Sequence, residues 1–86
     1  MMNYKLVYTR RAEKDINKLD PSVKKSIGKS LLKLQDNPIQ YSEKLTDPRI
    51  GTYRFRKGDY RVIFDIEDKD IIILRLGHRR DIYRML

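Results

Sequence analysis

The 86-residue chain predicts an α+β fold in one domain, residues 1–86: an N-terminal strand, an antiparallel two-helix hairpin, then a three-stranded antiparallel meander that completes a twisted sheet. Three observations predict this β-α-α-β-β-β order. Residues 3–8, NYKLVY, alternate, with Tyr4, Leu6 and Tyr8 on one side. Val23, Ile27, Leu31 and Leu34 recur at i, i+4, i+8 and i+11, a helical stripe. Three β-rich runs follow, TYRFRK (52–57), DYRVIFDI (59–66) and DIIILRLG (70–77), separated by the turn pairs Lys57-Gly58 and Asp68-Lys69.

Each element has its own local reason. Thr9 is a capping residue ahead of RRAEKDINKL, whose Ala12, Ile16 and Leu19 share a stripe. Asp20-Pro21 restarts a helix, with a capping acid and then Pro at the first helical position. Asn37-Pro38 stops it, because the residue before proline is pushed out of the helical region. Residues 38–51 read as loop, with Pro38, Pro48 and Gly51. The run at 70–77 is apolar on both faces and is expected to be central. DIYRML (81–86) reads as a short terminal helix or extension.

Composition narrows the function classes. There is no Cys, so neither a disulfide framework nor a thiolate metal site is available. No apolar run nears the roughly 20 residues that span a membrane, and MMNYKLVYTRR has no signal-peptide apolar region. A cytoplasmic protein with no membrane partner is expected. Twenty Lys+Arg against 12 Asp+Glu give a net charge of +8 and point to a polyanionic partner. The charge is segregated. Residues 49–61 hold five Lys/Arg and one Asp, and residues 75–84 hold four Arg and one Asp, whereas 65–70 hold four acids and one Lys.

A register argument places the arginines. With Lys57-Gly58 as a two-residue loop, Arg54 faces Arg61, and Arg54, Arg56 and Arg61 share one face opposite Tyr53, Phe55, Tyr60 and Val62. With Asp68-Lys69 as the next loop, His78 faces Asp59 and joins the arginine face beside Arg79. Directly opposed like charges cost a sheet some tenths of a kcal/mol. A phosphodiester between the guanidinium groups relieves that cost, since arginine presents a bidentate fork to phosphate oxygens. The ordinary reading, a solvated outer sheet face, accounts well for one such arginine and poorly for three beside a His and a further Arg.

Other chemistry is disfavoured. There is no Gly-rich phosphate loop, a single His is too few for a zinc site, and no carboxylate cluster suggests a magnesium-dependent nuclease. Neither metal nor cofactor is expected. HRRD (78–81) echoes a kinase catalytic loop, but the chain is far too short for that fold.

The YRFRKGDYRVIF hairpin and the GHRRDIYR ending together resemble the RelE/ParE superfamily of toxins from type II toxin–antitoxin pairs. The resemblance covers essentially the whole chain. Its specific parts are the G-[DN]-Y-R-[VL]-[IV]-[FY] core and the G-x-R…Y ending; the helices are not specific. It implies a RelE-like fold and, in the RelE branch, an endoribonuclease that cuts mRNA in the ribosomal A site and inhibits translation. Arg54 and Arg56 match the two basic residues of the second strand, where RelE has Lys at both. Arg61 matches the Arg after Gly-x-Tyr, Arg79 that of the G-x-R ending, and Tyr83 the terminal Tyr, at a shorter spacing. His78 has no counterpart in RelE itself.

The implied reaction is metal-independent attack of the 2′-OH on the adjacent phosphate, which needs a proton acceptor, a proton donor and positive charge around the phosphorane. Guanidinium groups are poor bases and good electrostatic stabilisers. The expected catalytic set is Arg61, Arg79, Tyr83 and His78, the imidazole being the best acid or base by chemistry. Arg54, Arg56, Lys57 and Arg80 are expected to bind RNA. The resemblance also implies a cognate acidic, RelB-like antitoxin in a hetero-oligomer, besides mRNA and the ribosome. The rival reading is the ParE branch, which shares the fold, poisons DNA gyrase and cleaves nothing.

Overall fold

The computed structural model describes residues 4–46 and 51–82. Its elements run β1 (Lys5–Tyr8), α1 (Arg10–Asn17), α2 (Pro21–Asp36), β2 (Ser42–Lys44), β3 (Tyr53–Lys57), β4 (Tyr60–Glu67), β5 (Asp70–His78) and α3 (Arg79–Ile82). One five-stranded sheet has the order β1-β5-β4-β3-β2, with β1 parallel to β5 and every other pair antiparallel. The strand order expected from sequence is present, with one addition: three residues of the expected loop, Ser42–Lys44, pair with β3 as an edge strand.

Thr9 does two jobs at the β1–α1 junction. Its Oγ1 accepts from the Ala12 amide at 3.1 Å and donates to the Leu74 carbonyl at 3.0 Å, so one hydroxyl caps α1 and fixes it to β5. Pro21 starts α2, where its missing N–H costs nothing. At the other end of α2, Gln35 accepts from the Tyr4 amide through its carbonyl and donates to the Tyr4 carbonyl through Nε2, so the helix finishes at the start of β1. Ala12, Ile27, Leu31 and Leu34 from the helices meet Phe55, Val62, Phe64, Ile71, Ile73 and Leu76 from one face of the sheet. Each fully buried Leu, Ile or Phe there contributes about 1.5–3 kcal/mol.

Two details of register differ from the sequence expectation. The first hairpin loop is Gly58-Asp59, closed by Lys57 opposite Tyr60. Gly58 takes the first loop position at φ +58°, the left-handed conformation that glycine adopts without steric cost. This moves the pairing by two residues, so the faces are unchanged but the partners are not: Arg56, rather than Arg54, lies opposite Arg61. The second hairpin has the expected loop, Glu67 opposite Asp70, but Leu74 is an extra residue on β5. Phe64 pairs with Ile73 and Ile63 with Arg75, so beyond this bulge every β5 side chain changes face. His78 therefore lies opposite Tyr60, on the helix-covered side, and not with the arginines.

The end of β5 is anchored from α1. β1 stops pairing at Tyr8–Ile73, and beyond it the Leu76 amide donates to Asp15 Oδ2 at 3.1 Å. The same carboxylate takes both arms of Arg75, from Nε at 2.8 Å and from Nη2 at 3.2 Å. Both residues are buried. On the sheet face away from the helices, the chain preceding β3 folds over Ile63. The Thr52 amide donates to Asp65 Oδ1 at 2.7 Å, and a Cβ built on Gly51 would stand 2.7 Å from Ile63 Cγ2 and 2.8 Å from Leu74 Cδ1.

Removing one partner of a buried, hydrogen-bonded ion pair costs several kcal/mol. Asp15→Ala is expected to lower the unfolding free energy by about 3 kcal/mol in urea titration, and Asp15→Ala with Arg75→Met to recover part of it; a single-mutant loss well under 1 kcal/mol would contradict this role. Gly51 has φ +151° and no room for a methyl group. Gly51→Ala is expected to cost about 2 kcal/mol, read as a fall in Tm of roughly 8–16 °C for a domain of this size.

Candidate functional site

The arginines stand on the sheet face away from the helices because side chains alternate along a strand. Arg54 and Arg56 come from β3 and Arg61 from β4. The three differ in what they already hold. Arg61 is 9% exposed, and its Nη1 donates to the carbonyls of Gly58 (2.8 Å) and Tyr60 (2.9 Å). It braces the hairpin turn from within, which also draws its charge away from Arg56 opposite. Arg54 and Arg56 both reach Glu43 of β2: Arg54 Nη2 is 2.7 Å from Oε2, and Arg56 Nε is 3.3 Å from Oε1. Register explains the contact, since Glu43 lies directly opposite Arg54.

Arg79 joins the second sequence motif to the first. Its amide donates to the Asp59 carbonyl at 2.7 Å, and its Nε lies 3.7 Å from Asp59 Oδ1. The Gly58-Asp59 turn thus sits against the start of α3, and the YRFRKGDYR and GHRRDI segments form one end of the molecule. Arg79 and Asp59 are largely exposed, so their ion pair contributes little to stability. Lys57 and Arg80 are exposed at the same end. Tyr83 lies outside the described residues.

His78 sits apart from the arginine set. Its ring meets Tyr60 edge to face, with centroids 5.5 Å apart. Its Nδ1 accepts from the Arg80 amide at 3.2 Å, as a capping side chain does at the first turn of a helix. That places the proton of a neutral ring on Nε2. Tyr60 and His78 form one wall of a cleft of about 440 Å³ whose other side is the α1–α2 corner, with Asp15, Lys18, Leu19 and Asp20.

Two residues of this region, Glu43 and Asp15, escaped the sequence reading. Glu43 lies in a segment with too little apolar alternation to read as a strand. Among the described residues no group of three or more His, Cys, Asp or Glu side chains is placed to hold a metal ion, and no helix is long and apolar enough to cross a membrane. What the arrangement offers is a cluster of guanidinium groups, with the exposed acids Glu43 and Asp59 paired to Arg54, Arg56 and Arg79.

The hydrogen bond from Arg54, reinforced by the charges of Arg56, Arg54 and Arg61, holds the Glu43 carboxyl below the usual glutamate range. Its contribution is therefore complete above the ordinary carboxylate range, declines progressively as pH falls from that range, and is gone below the lowered folded-state value. An NMR titration is expected to show the Glu43 carboxyl carbon changing at lower pH than an ordinary exposed glutamate, and to return it to that range in Arg54→Gln. An ordinary midpoint in the unmutated protein would contradict the contact.

Comparison with known proteins agrees with the fold and extends it. The family model of the ParE toxin of the type II toxin–antitoxin system parDE matches residues 6–83. Toxin RelG of Mycobacterium tuberculosis is 33% identical over 86 residues, taking in 96% of this chain and 99% of that protein. Among solved structures, the toxin–antitoxin complex RelBE2 of M. tuberculosis superposes with a TM-score of 0.81 at 29% identity, over 90% of this chain and 99% of that one. The RelE–RelB complex of Pyrococcus horikoshii OT3 superposes with a TM-score of 0.72 at 26% identity, over 93% and 99%. With a family model matched over residues 6–83 and a relative 33% identical over 96% of its length, the chain belongs to the RelE/ParE superfamily of type II toxin–antitoxin toxins.

Proposed function

We propose that this toxin is a metal-independent endoribonuclease that cuts mRNA during translation in the cytoplasm and is held in check by an acidic, RelB-like antitoxin. The observation that carries the reading is that Arg54, Arg56 and Arg61 share one sheet face while Arg61 and Arg79 both meet the Gly58-Asp59 turn. In-line attack by a 2′-OH places an extra negative charge on the phosphorane, and preorganised donors are worth most where charge develops. Arg79 and Arg56 are the exposed members and meet phosphate first; Arg54, like Arg56, holds Glu43 in the free protein. Arg61 fixes the turn that carries Asp59. Lys57 and Arg80 extend the positive surface along the RNA backbone. Tyr83 is assigned to base stacking or proton transfer on the strength of the resemblance.

His78 is proposed here as a positioning residue. Its capping of the Arg80 amide supports a role in aiming Arg79 and Arg80 rather than in touching the scissile phosphate. His78→Asn, which keeps a capping acceptor, is then expected to retain most activity and the shape of the pH–rate profile. His78→Ala is expected to weaken RNA binding as well as turnover.

The matched ParE family model favours one second reading, a gyrase poison without nuclease activity. Primer extension on a reporter mRNA in a reconstituted translation reaction separates the two. Cleavage inside the reading frame is expected with the unmutated protein, and Arg79→Ala is expected to lower it about a hundredfold or more, the usual cost of one charge-stabilising donor. Intact mRNA with trapped DNA breaks in a parallel gyrase reaction would replace the ribonuclease reading.

A further inference from the structure

We propose that Glu43 is an internal occupant of a phosphate subsite: its carboxylate fills the space between Arg54 and Arg56 until a phosphodiester of the RNA displaces it. The inference rests on the ribonuclease reading and deepens it, since it names which group on this face the substrate must exchange with.

Three observations carry it. First, the contact is built by register. Glu43 is the one β2 residue opposite Arg54, and its two oxygens divide between the two guanidinium groups, at 2.7 and 3.3 Å. That is the pattern in which two phosphate oxygens would divide. Second, the occupant is replaceable. The Glu43 side chain is 52% exposed and lies on a three-residue edge strand, whereas Asp15, paired to Arg75, is buried with a backbone amide as third partner. Third, neighbouring arginines are spoken for in ways that do not compete. Arg61 turns back onto carbonyls, and Arg79 rests against Asp59 in the free protein, so neither contests Glu43. The depressed carboxyl of Glu43 agrees with this role, because it favours a permanent anion over a proton acceptor.

The exchange has a physical consequence. When a phosphate enters, Glu43 keeps its negative charge but loses its partners, so part of the phosphate's gain is offset. The acid therefore lowers general affinity for polyanions and leaves tight binding to RNA that engages the rest of the site as well.

The test measures binding apart from cleavage. Unmutated protein, Glu43→Gln and Glu67→Gln are titrated into a fluorescent single-stranded RNA whose 2′-OH groups are methylated, over a range of salt concentrations. Glu67 is the charge control. It sits at the opposite end of β4 from Arg61, six residues or roughly 20 Å along the strand. Glu43→Gln is expected to bind about two- to fivefold tighter, the scale of an exposed ion pair. Its affinity should also fall more steeply with salt, by about 0.7 in log–log slope, as for one further phosphate contact on a single strand. Glu67→Gln should stay close to the unmutated protein. Equal or weaker binding by Glu43→Gln, or the same gain in Glu67→Gln, would overturn the inference and leave the ribonuclease reading in place. No binding by the unmutated protein even at low salt would remove the RNA interface itself, and the inference with it.

Discussion

The carboxylate of Asp15 holds the last turn of the sheet in place, and the functional end of the molecule is built on what it holds. A strand edge that loses its neighbour exposes unpaired amides. Here β1 ends after Tyr8, and the side chain of α1 takes over, accepting the Leu76 amide and both arms of Arg75. That grip comes immediately after the Leu74 bulge, where β5 has changed face. Gly77, His78 and Arg79 follow within three residues. Their placement against the hairpin turn, with the Arg79 amide on the Asp59 carbonyl, is a consequence of a bulge fixed from the helical layer.

The site is economical in its elements: two hairpin strands supply three arginines, the next strand ends just before the fourth, and an edge strand supplies the acid. Electrostatics decides the rest. Opposed arginines on neighbouring strands cost stability, and the fold answers differently at each. Arg61 is satisfied by carbonyls, Arg56 and Arg54 by Glu43, and Arg79 loosely by Asp59. The buried contact serves architecture and the exposed ones are available to a ligand. This division separates Arg75, whose charge is consumed inside the fold, from Arg56 and Arg79, although all three read alike in the sequence.

What was legible in the sequence follows from periodicity. The stripe of Val23, Ile27, Leu31 and Leu34, the Thr9 cap, the Pro21 restart and the order of the three long strands are local patterns, and local physics produces them. The sharing of one face by Arg54, Arg56 and Arg61 was legible too, because a two-residue error in the turn leaves parity unchanged. The bulge was not. DIIILRL is apolar at nearly every position, so no alternation marks Leu74 as extra, and His78 landed on the other face. β2 was invisible because Ser-Glu-Lys has little strand propensity of its own; the open edge of β3 recruits it. Asp15 meets Arg75 across 60 residues of chain, and Glu43 meets Arg54 only through a strand pairing with no signal of its own, so spacing alone reveals neither.

The central claim is that Arg54, Arg56 and Arg79 together bind the phosphates of RNA. Following the guanidinium Nε–H signals by NMR as an uncleavable RNA is added tests it most directly. The account predicts that Arg54, Arg56 and Arg79 shift together while Arg75 stays still. Unmoved arginines, with the changes gathered instead on the lysines of α2, would contradict it.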